Sequence, residues 1–204
     1  MNFLAQIGLI LFGNKTMTKN INVLLGEYNL APYEFKASTN ALGAVNPVLF
    51  GYILKSNETQ EILPGIITNW KFDHKNKYTL TLGEAKFHNG RTVKATDFEF
   101  SIIRGFISKN ENYNKILFSD IEGTENLKIG SIYKPGMLSG IKVTNEKTVE
   151  ITVKNNNPIF LLNFTIPFAP IVPIEELEDD LYTWKKTPIG AGPYQIVNDY
   201  KDHV

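Results

Sequence analysis

The sequence predicts a mixed α/β protein in which antiparallel hairpins pack against short helices, and three stretches carry that prediction. In the first, Tyr78, Leu80 and Leu82 alternate with Thr79, Thr81 and Gly83, the period-2 pattern of a strand with one buried face. Polar Asp73-His74-Lys75-Asn76 precedes it, so Ile66–Phe72 can fold back on Lys77–Leu82 as a hairpin. In the second, Thr96-x-x-Glu99 has the form of a capping box. Behind it Phe98, Ile102 and Phe106, with Ile103 and Ile107 beside them, make one broad apolar helix face. In the third, Gly140–Val143 and Thr148–Val153 flank the turn Asn145-Glu146-Lys147, with Ile141, Val143, Val149, Ile151 and Val153 as the buried set.

The remaining elements follow in chain order. Phe3–Phe12 is an apolar run long enough for a signal-peptide core and too short to span a bilayer. No Lys or Arg precedes it, and Gly13-Asn14-Lys15-Thr16 has no small-x-small cleavage site. Residues 1–19 therefore read as a degenerate signal peptide, with Met17 as an alternative start. Ile21–Leu25 reads as a buried strand and Gly26–Lys36 as a loop in which Leu30 and Pro32 are anchors. Asn46-Pro47 can open a helix, Asn as cap and Pro at the first position, with Val48, Leu49, Tyr52 and Ile53 as its apolar face. Asn89-Gly90 is a tight turn, because both residues tolerate positive φ. Lys109–Leu117 is a solvated loop interrupted by Tyr113. Pro167, Pro170 and Pro173 exclude a long helix after Leu161. Pro173 opens a short helix whose Glu175, Glu176 and Glu178 form a solvated face, and Gly190–Pro193 leads into a strand at Tyr194–Val197.

Composition narrows function mainly by exclusion. Among 204 residues the 21 basic and 21 acidic side chains cancel, which removes the electrostatic case for nucleic acid or an anionic membrane. With no Cys, disulfides, thiolate metal sites and Cys nucleophiles are excluded. His74, His88 and His203 read as single surface residues without metal-ligand spacing. There is no Gly-x-Ser-x-Gly elbow and no Walker loop. Gly190–Pro193 is a poor phosphate cradle, since Pro193 lacks an amide and no Lys follows it. Asp179-Asp180 lies in a hydrophilic run and needs no catalytic explanation. No catalytic residue, metal or cofactor is expected, and the chain does not read as an enzyme.

A longer pattern runs through Leu63, Pro64, Trp70, Tyr78, Thr79, Leu82, Phe87, Asn89, Gly90, Val93, Ala95, Asp97, Phe98, Phe100, Ser101 and Arg104. In this order and spacing it resembles the opening signature of the extracytoplasmic oligopeptide- and dipeptide-binding proteins of ABC importers (solute-binding protein family 5), N-terminal portion only. Ile121-Glu122-Gly123, Gly140-Ile141-Lys142-Val143, Pro158-Ile159-Phe160 and Gly190-Ala191-Gly192-Pro193-Tyr194 extend the likeness from about Ile21 to Tyr194. The chain departs from the family at Leu82-Gly83-Glu84-Ala85, where an Arg usually follows the Leu. It departs again at Leu30-Ala31-Pro32, which lacks an Asp, and at Gly51-Tyr52-Ile53, where relatives carry Glu-Gly-Leu.

The resemblance implies part of a type II periplasmic-binding-protein fold: an incomplete first lobe from residues 20–47 and 161–204, and a small inserted mixed α/β domain at 48–160. It implies a peptide-binding subunit of an importer, located in the periplasm, whose partners are an oligopeptide and the membrane subunits of the transporter. Family members are more than twice this length, so the alternative is a truncated, non-binding remnant or one piece of a split protein completed by a second polypeptide. By resemblance, the backbone of Lys36, Ala37, Ser38 and Thr39 lies along the peptide. Tyr113 matches a ligand-reaching Tyr, with a packed lid over a small core as the equal alternative. Trp70, Tyr78 and Phe87 read as core rather than as a ligand platform.

Overall fold

The computed structural model describes residues 3–9, 19–25, 39–109 and 113–199. Nine strands form three antiparallel sheets in these segments. The largest orders β5 (Ile67–Phe72), β6 (Lys77–Leu82), β8 (Thr148–Thr152) and β7 (Ile141–Asn145) side by side. Both hairpins expected from the sequence are present, and β6 pairs with β8 to join them, Tyr78 opposite Ile151 and Leu80 opposite Val149. Tyr78, Leu80 and Leu82 all point into the core, as their alternation requires. The first hairpin turn is organised by Asp73, whose Oδ1 accepts from the amides of Lys75, Asn76 and Lys77.

β3 (Leu54–Ser56) and β4 (Ile62–Pro64) form a two-stranded ribbon beside this sheet. The third sheet places β1 (Phe3–Leu9) between β2 (Lys19–Leu25) and β9 (Tyr194–Asp199). Phe3–Leu9 of the apolar run that reads as a leader core is thus paired on both sides, with a register shift against β9 between Gln6 and Ile7.

Helix α1 spans Thr39–Phe50, and here the sequence reading needs correction. Asn46-Pro47 does not open the helix; it lies within it. Asn46 is buried, and its Nδ2 donates to the Pro167 carbonyl at 2.8 Å. The helix stops where Gly51 takes φ +79°, the left-handed position that favours glycine after a helix end.

The second correction concerns α2, Ala95–Ile107. It starts earlier than expected: the Lys94 amide donates to Asp97 Oδ2 at 2.8 Å, so Asp97 supplies the capping carboxylate. Thr96 is exposed, and Glu99 is buried far from the cap. Thr96-x-x-Glu99 is therefore not the capping box. Every residue of α2 except Thr96 is buried. The Phe98/Ile102/Phe106 side faces the main core, Phe98 against Phe164 at 5.5 Å between centroids. Phe100, on the other side, joins Val45, Leu49, Phe50, Val172 and Leu177 in a second cluster.

Buried polar side chains on this helix therefore need partners. Ser101 Oγ accepts from the Val172 amide at 2.9 Å, and Arg104 Nη1 donates to the Leu181 carbonyl at 3.3 Å. Asp97 meets Arg91 in a two-pronged pair, both N···O distances 2.8 Å, and Arg91 also bonds Glu175. Glu175 lies in the 3-10 turn Ile174–Glu176, and its neighbour Glu176 accepts from Asn89 Nδ2. Two of the acids read as a solvated face thus fasten the returning chain to the start of α2.

Helix α3 (Asn114–Phe118) packs on α2 at Gly105. Asn114 Nδ2 donates to the Ser101 and Ile102 carbonyls at 2.7 and 3.0 Å. A Cβ on Gly105 would stand 2.3 Å from Asn114 Cβ, so only glycine allows this approach.

His88, read as a surface residue, is half-buried and clamps the glycine-rich segment before β9. Its amide donates to the Gly190 carbonyl. Nδ1 accepts from the Gly190 amide at 3.2 Å, and Nε2 lies 3.0 Å from the Gly192 carbonyl, where it must donate. These contacts select the neutral ring. Burial pushes its pKa below the usual histidine value, against the opposing Gly192 carbonyl.

Three outcomes follow from these joints. Replacing Arg91 with Ala leaves the buried Asp97 carboxylate without its cation and is expected to lower urea-unfolding stability by about 2–3 kcal/mol. R91K should recover only part of that, lacking the fork geometry. G105A is expected to destabilise by about 1–3 kcal/mol, although alanine at an unhindered helix site would stabilise by about 1 kcal/mol; thermal melts of the two proteins give the sign. For His88, the unfolded chain titrates near about 6.5 and the folded chain below it, so the unfolded state takes up the proton first. The stability advantage of the wild type over H88Q should be full above about pH 6.5 and shrink on acidification, as read by denaturation at stepped pH.

Candidate functional site

The residues singled out by the sequence fall in different places. Lys36, Ala37 and Ser38 lie outside the described residues. Thr39 is the first residue of α1. Tyr113 immediately precedes α3 and is half-buried, its ring packed on Phe168 at 4.6 Å between centroids. It touches both apolar clusters, so its ring covers the seam between them.

Two residues that the sequence reading missed stand in the same region. Tyr133 meets Phe100 edge-on at 5.0 Å, and its hydroxyl donates to Glu99 Oε2 at 3.2 Å. The Gly136 amide donates to Glu99 Oε1 at 2.8 Å. Burial pushes the Glu99 carboxyl up, and these two donors oppose the shift. Burial and the adjacent carboxylate push the Tyr133 phenol well up, which keeps it protonated as the donor. Glu99 thereby straps the segment around Tyr133–Gly136 onto α2. No local pattern marks this pair, since the partners are 34 and 37 residues apart. Beneath Phe100 lies the Arg104 guanidinium, 5.9 Å from the ring centroid.

A concave surface of about 460 Å³ opens on another side of α1. Gly43, Pro47 and Gly51 of the helix and its stop line it, together with Tyr52, Lys55 and Pro193. Tyr113 does not line it. The walls are fixed by backbone bonds: Ile66 N to Tyr52 O at 2.8 Å, and Gly192 N to Leu49 O at 2.9 Å. Gly190 and Gly192 let the chain lie directly on α1, where an added Cβ would come within 2.2 Å of the Leu49 carbonyl and 2.3 Å of the Val48 carbonyl.

The arrangement offers apolar and aromatic surface, glycine backbone and one ammonium, a set suited to holding a ligand rather than to bond-breaking. Among the described residues no three His, Cys, Asp or Glu side chains are grouped to hold a metal ion, and no helix is long and apolar enough to cross a membrane.

Comparison with known proteins gives a consistent result. Residues 61–203 match the family model described as bacterial extracellular solute-binding proteins, family 5. The dipeptide-binding protein of Escherichia coli is 27% identical over 157 residues, 71% of this chain and 28% of that protein. A dipeptide-binding protein of Bacillus subtilis is 29% identical over 160 residues, 74% of this chain and 28% of its own length. Among solved structures, the murein tripeptide-binding protein of E. coli superposes with a TM-score of 0.64 at 25% identity, covering 80% of this chain and 32% of that one. A Burkholderia pseudomallei protein at 22% identity shares the fold, with a TM-score of 0.67. The chain thus carries part of the type II periplasmic-binding-protein fold and spans less than a third of the length of these curated relatives. Their shared class is solute binding, not catalysis, and on the match across residues 61–203 this chain belongs to family 5 of the bacterial extracellular solute-binding proteins.

Proposed function

We propose that this chain supplies one wall of the peptide-binding subunit of an extracytoplasmic ABC-type oligopeptide importer. The observation that carries the reading is the family match across residues 61–203 together with relatives that bind dipeptides and murein peptides. In this reading residues 48–160 are the small domain, and residues 20–47 with 161–204 are the first lobe. The peptide lies along the backbone of Lys36–Thr39, and the Tyr113 ring borders it beside Phe168. Extended peptides are held through main-chain bonds with side chains in tolerant pockets, which suits a site with few charged residues. Lobe closure over the peptide is then the signal that the membrane subunits read.

Because the chain spans 28% of the dipeptide-binding relatives, a second reading keeps its place: one piece of a split subunit, binding peptide only with a companion polypeptide that carries the opposing lobe.

Calorimetry with mixed tri- to pentapeptides separates the two. Micromolar binding by this chain alone, on the order of −8 kcal/mol, supports the first reading, and Y113A should then weaken it roughly tenfold. Binding that emerges only on adding the companion lobe supports the second. No binding in either case removes peptide transport from both.

A further inference from the structure

The cleft beside the end of α1 is not absorbed by that reading, since it contains none of the described ligand-facing aromatic wall. Its lining has a definite chemistry. Val48, Tyr52, Ile66 and Pro193 give apolar surface, and Tyr52 is one of the exposed large apolar side chains of the protein. Lys55 is the one charged residue among the lining residues described, and none of the described ion pairs uses it. No carboxylate lines the cleft to neutralise it.

Gly43 and Pro47 both line the cleft. Glycine at 51 and 65 lets the backbone around the cleft pack closely. Gly51 requires its positive φ, and a Cβ on Gly65 would stand 2.4 Å from the Tyr52 carbonyl.

The cleft is also held open before any ligand arrives. Ile66 N and Ile67 N bond the Tyr52 and Ile53 carbonyls, Ala191 N and Gly192 N bond the Phe50 and Leu49 carbonyls, and His88 grips Gly190 and Gly192 from behind. Walls fixed in this way lose little freedom on binding. A volume of about 460 Å³ lies within the range of small-molecule sites, roughly 300–1,000 Å³.

We infer that this cleft is a binding site for a small apolar carboxylate, the chemistry of an acylated aromatic or aliphatic amino acid. The carboxylate pairs with the Lys55 ammonium, and the apolar side chain lies against Tyr52, Ile66 and Pro193. The inference does not rest on peptide transport: it uses neither Tyr113 nor Lys36–Ser38.

The test is amide NMR titration of the full chain with N-acetyl-L-phenylalanine, and with N-acetyl-L-phenylalaninamide as the uncharged control. Saturable shifts centred on Gly43, Gly51, Gly65 and Ala191 are expected, weakened roughly tenfold for the amide and for K55Q with the acid. Lys55 is exposed, so K55Q is expected to keep the wild-type spectrum elsewhere. The tighter fit of acid than amide should vanish in K55Q. Absence of saturable shifts at these glycines overturns the site, and equal binding of acid and amide overturns the role of Lys55. If longer peptides fail in calorimetry while the acylated amino acid binds here, this site stands and the peptide reading falls.

Discussion

The structure depends on a helix that is buried all round yet carries four polar or charged side chains. A buried carboxylate, guanidinium or hydroxyl costs free energy unless it is hydrogen-bonded, so Asp97, Glu99, Ser101 and Arg104 each commit α2 to a definite neighbour. Asp97 holds Arg91 and, through it, Glu175. Glu99 holds Tyr133 and Gly136. Ser101 holds Val172, and Arg104 holds Leu181. The three segments that wrap the helix are thereby fixed in position as well as packed. Apolar contact alone is tolerant of small slides, whereas directional bonds at these four positions are not.

A second kind of joint uses the absence of side chains. Gly190 and Gly192 rest on the backbone of α1, and Gly105 admits Asn114 to the backbone of α2. His88 completes the first of these by reading both edges of the glycine segment with its two ring nitrogens. Since this segment leads directly into β9, the same contacts set where the three-stranded sheet meets the rest of the protein. The segment that leads into β9 and helix α1 are thus connected through backbone-to-backbone packing that any larger residue would push apart.

Membership of the solute-binding family gives these joints a context without supplying their roles. The aromatic seam at Tyr113 and Phe168 sits where segments distant in sequence converge, and so does the cleft at the end of α1. Convergence is what a ligand-binding protein needs, because contacts from several segments let one small molecule bias how they are arranged.

Much of the secondary structure was legible in the residues. The period-2 runs at Tyr78–Leu82 and Thr148–Thr152 determined both hairpins, and Asp73 and Asn145-Glu146-Lys147 marked their turns, because strand alternation and turn chemistry are local properties. The family likeness was legible for the same reason: it is a pattern of spacings. Where the reading failed, a long-range partner outweighed a local preference. Asn46 looked like a helix cap until the Pro167 carbonyl claimed its amide inside the protein. Glu99 looked like half of a capping box. His88, Glu175 and Glu176 looked like surface. The sequence by itself determined the two hairpins of the four-stranded sheet, the helix after them and the family likeness, while α3 was hidden in what read as a solvated loop. Only the tertiary structure decided which polar side chains are buried and what they grip, because a polar residue's burial depends on partners as far as 121 residues away, and no local pattern encodes them.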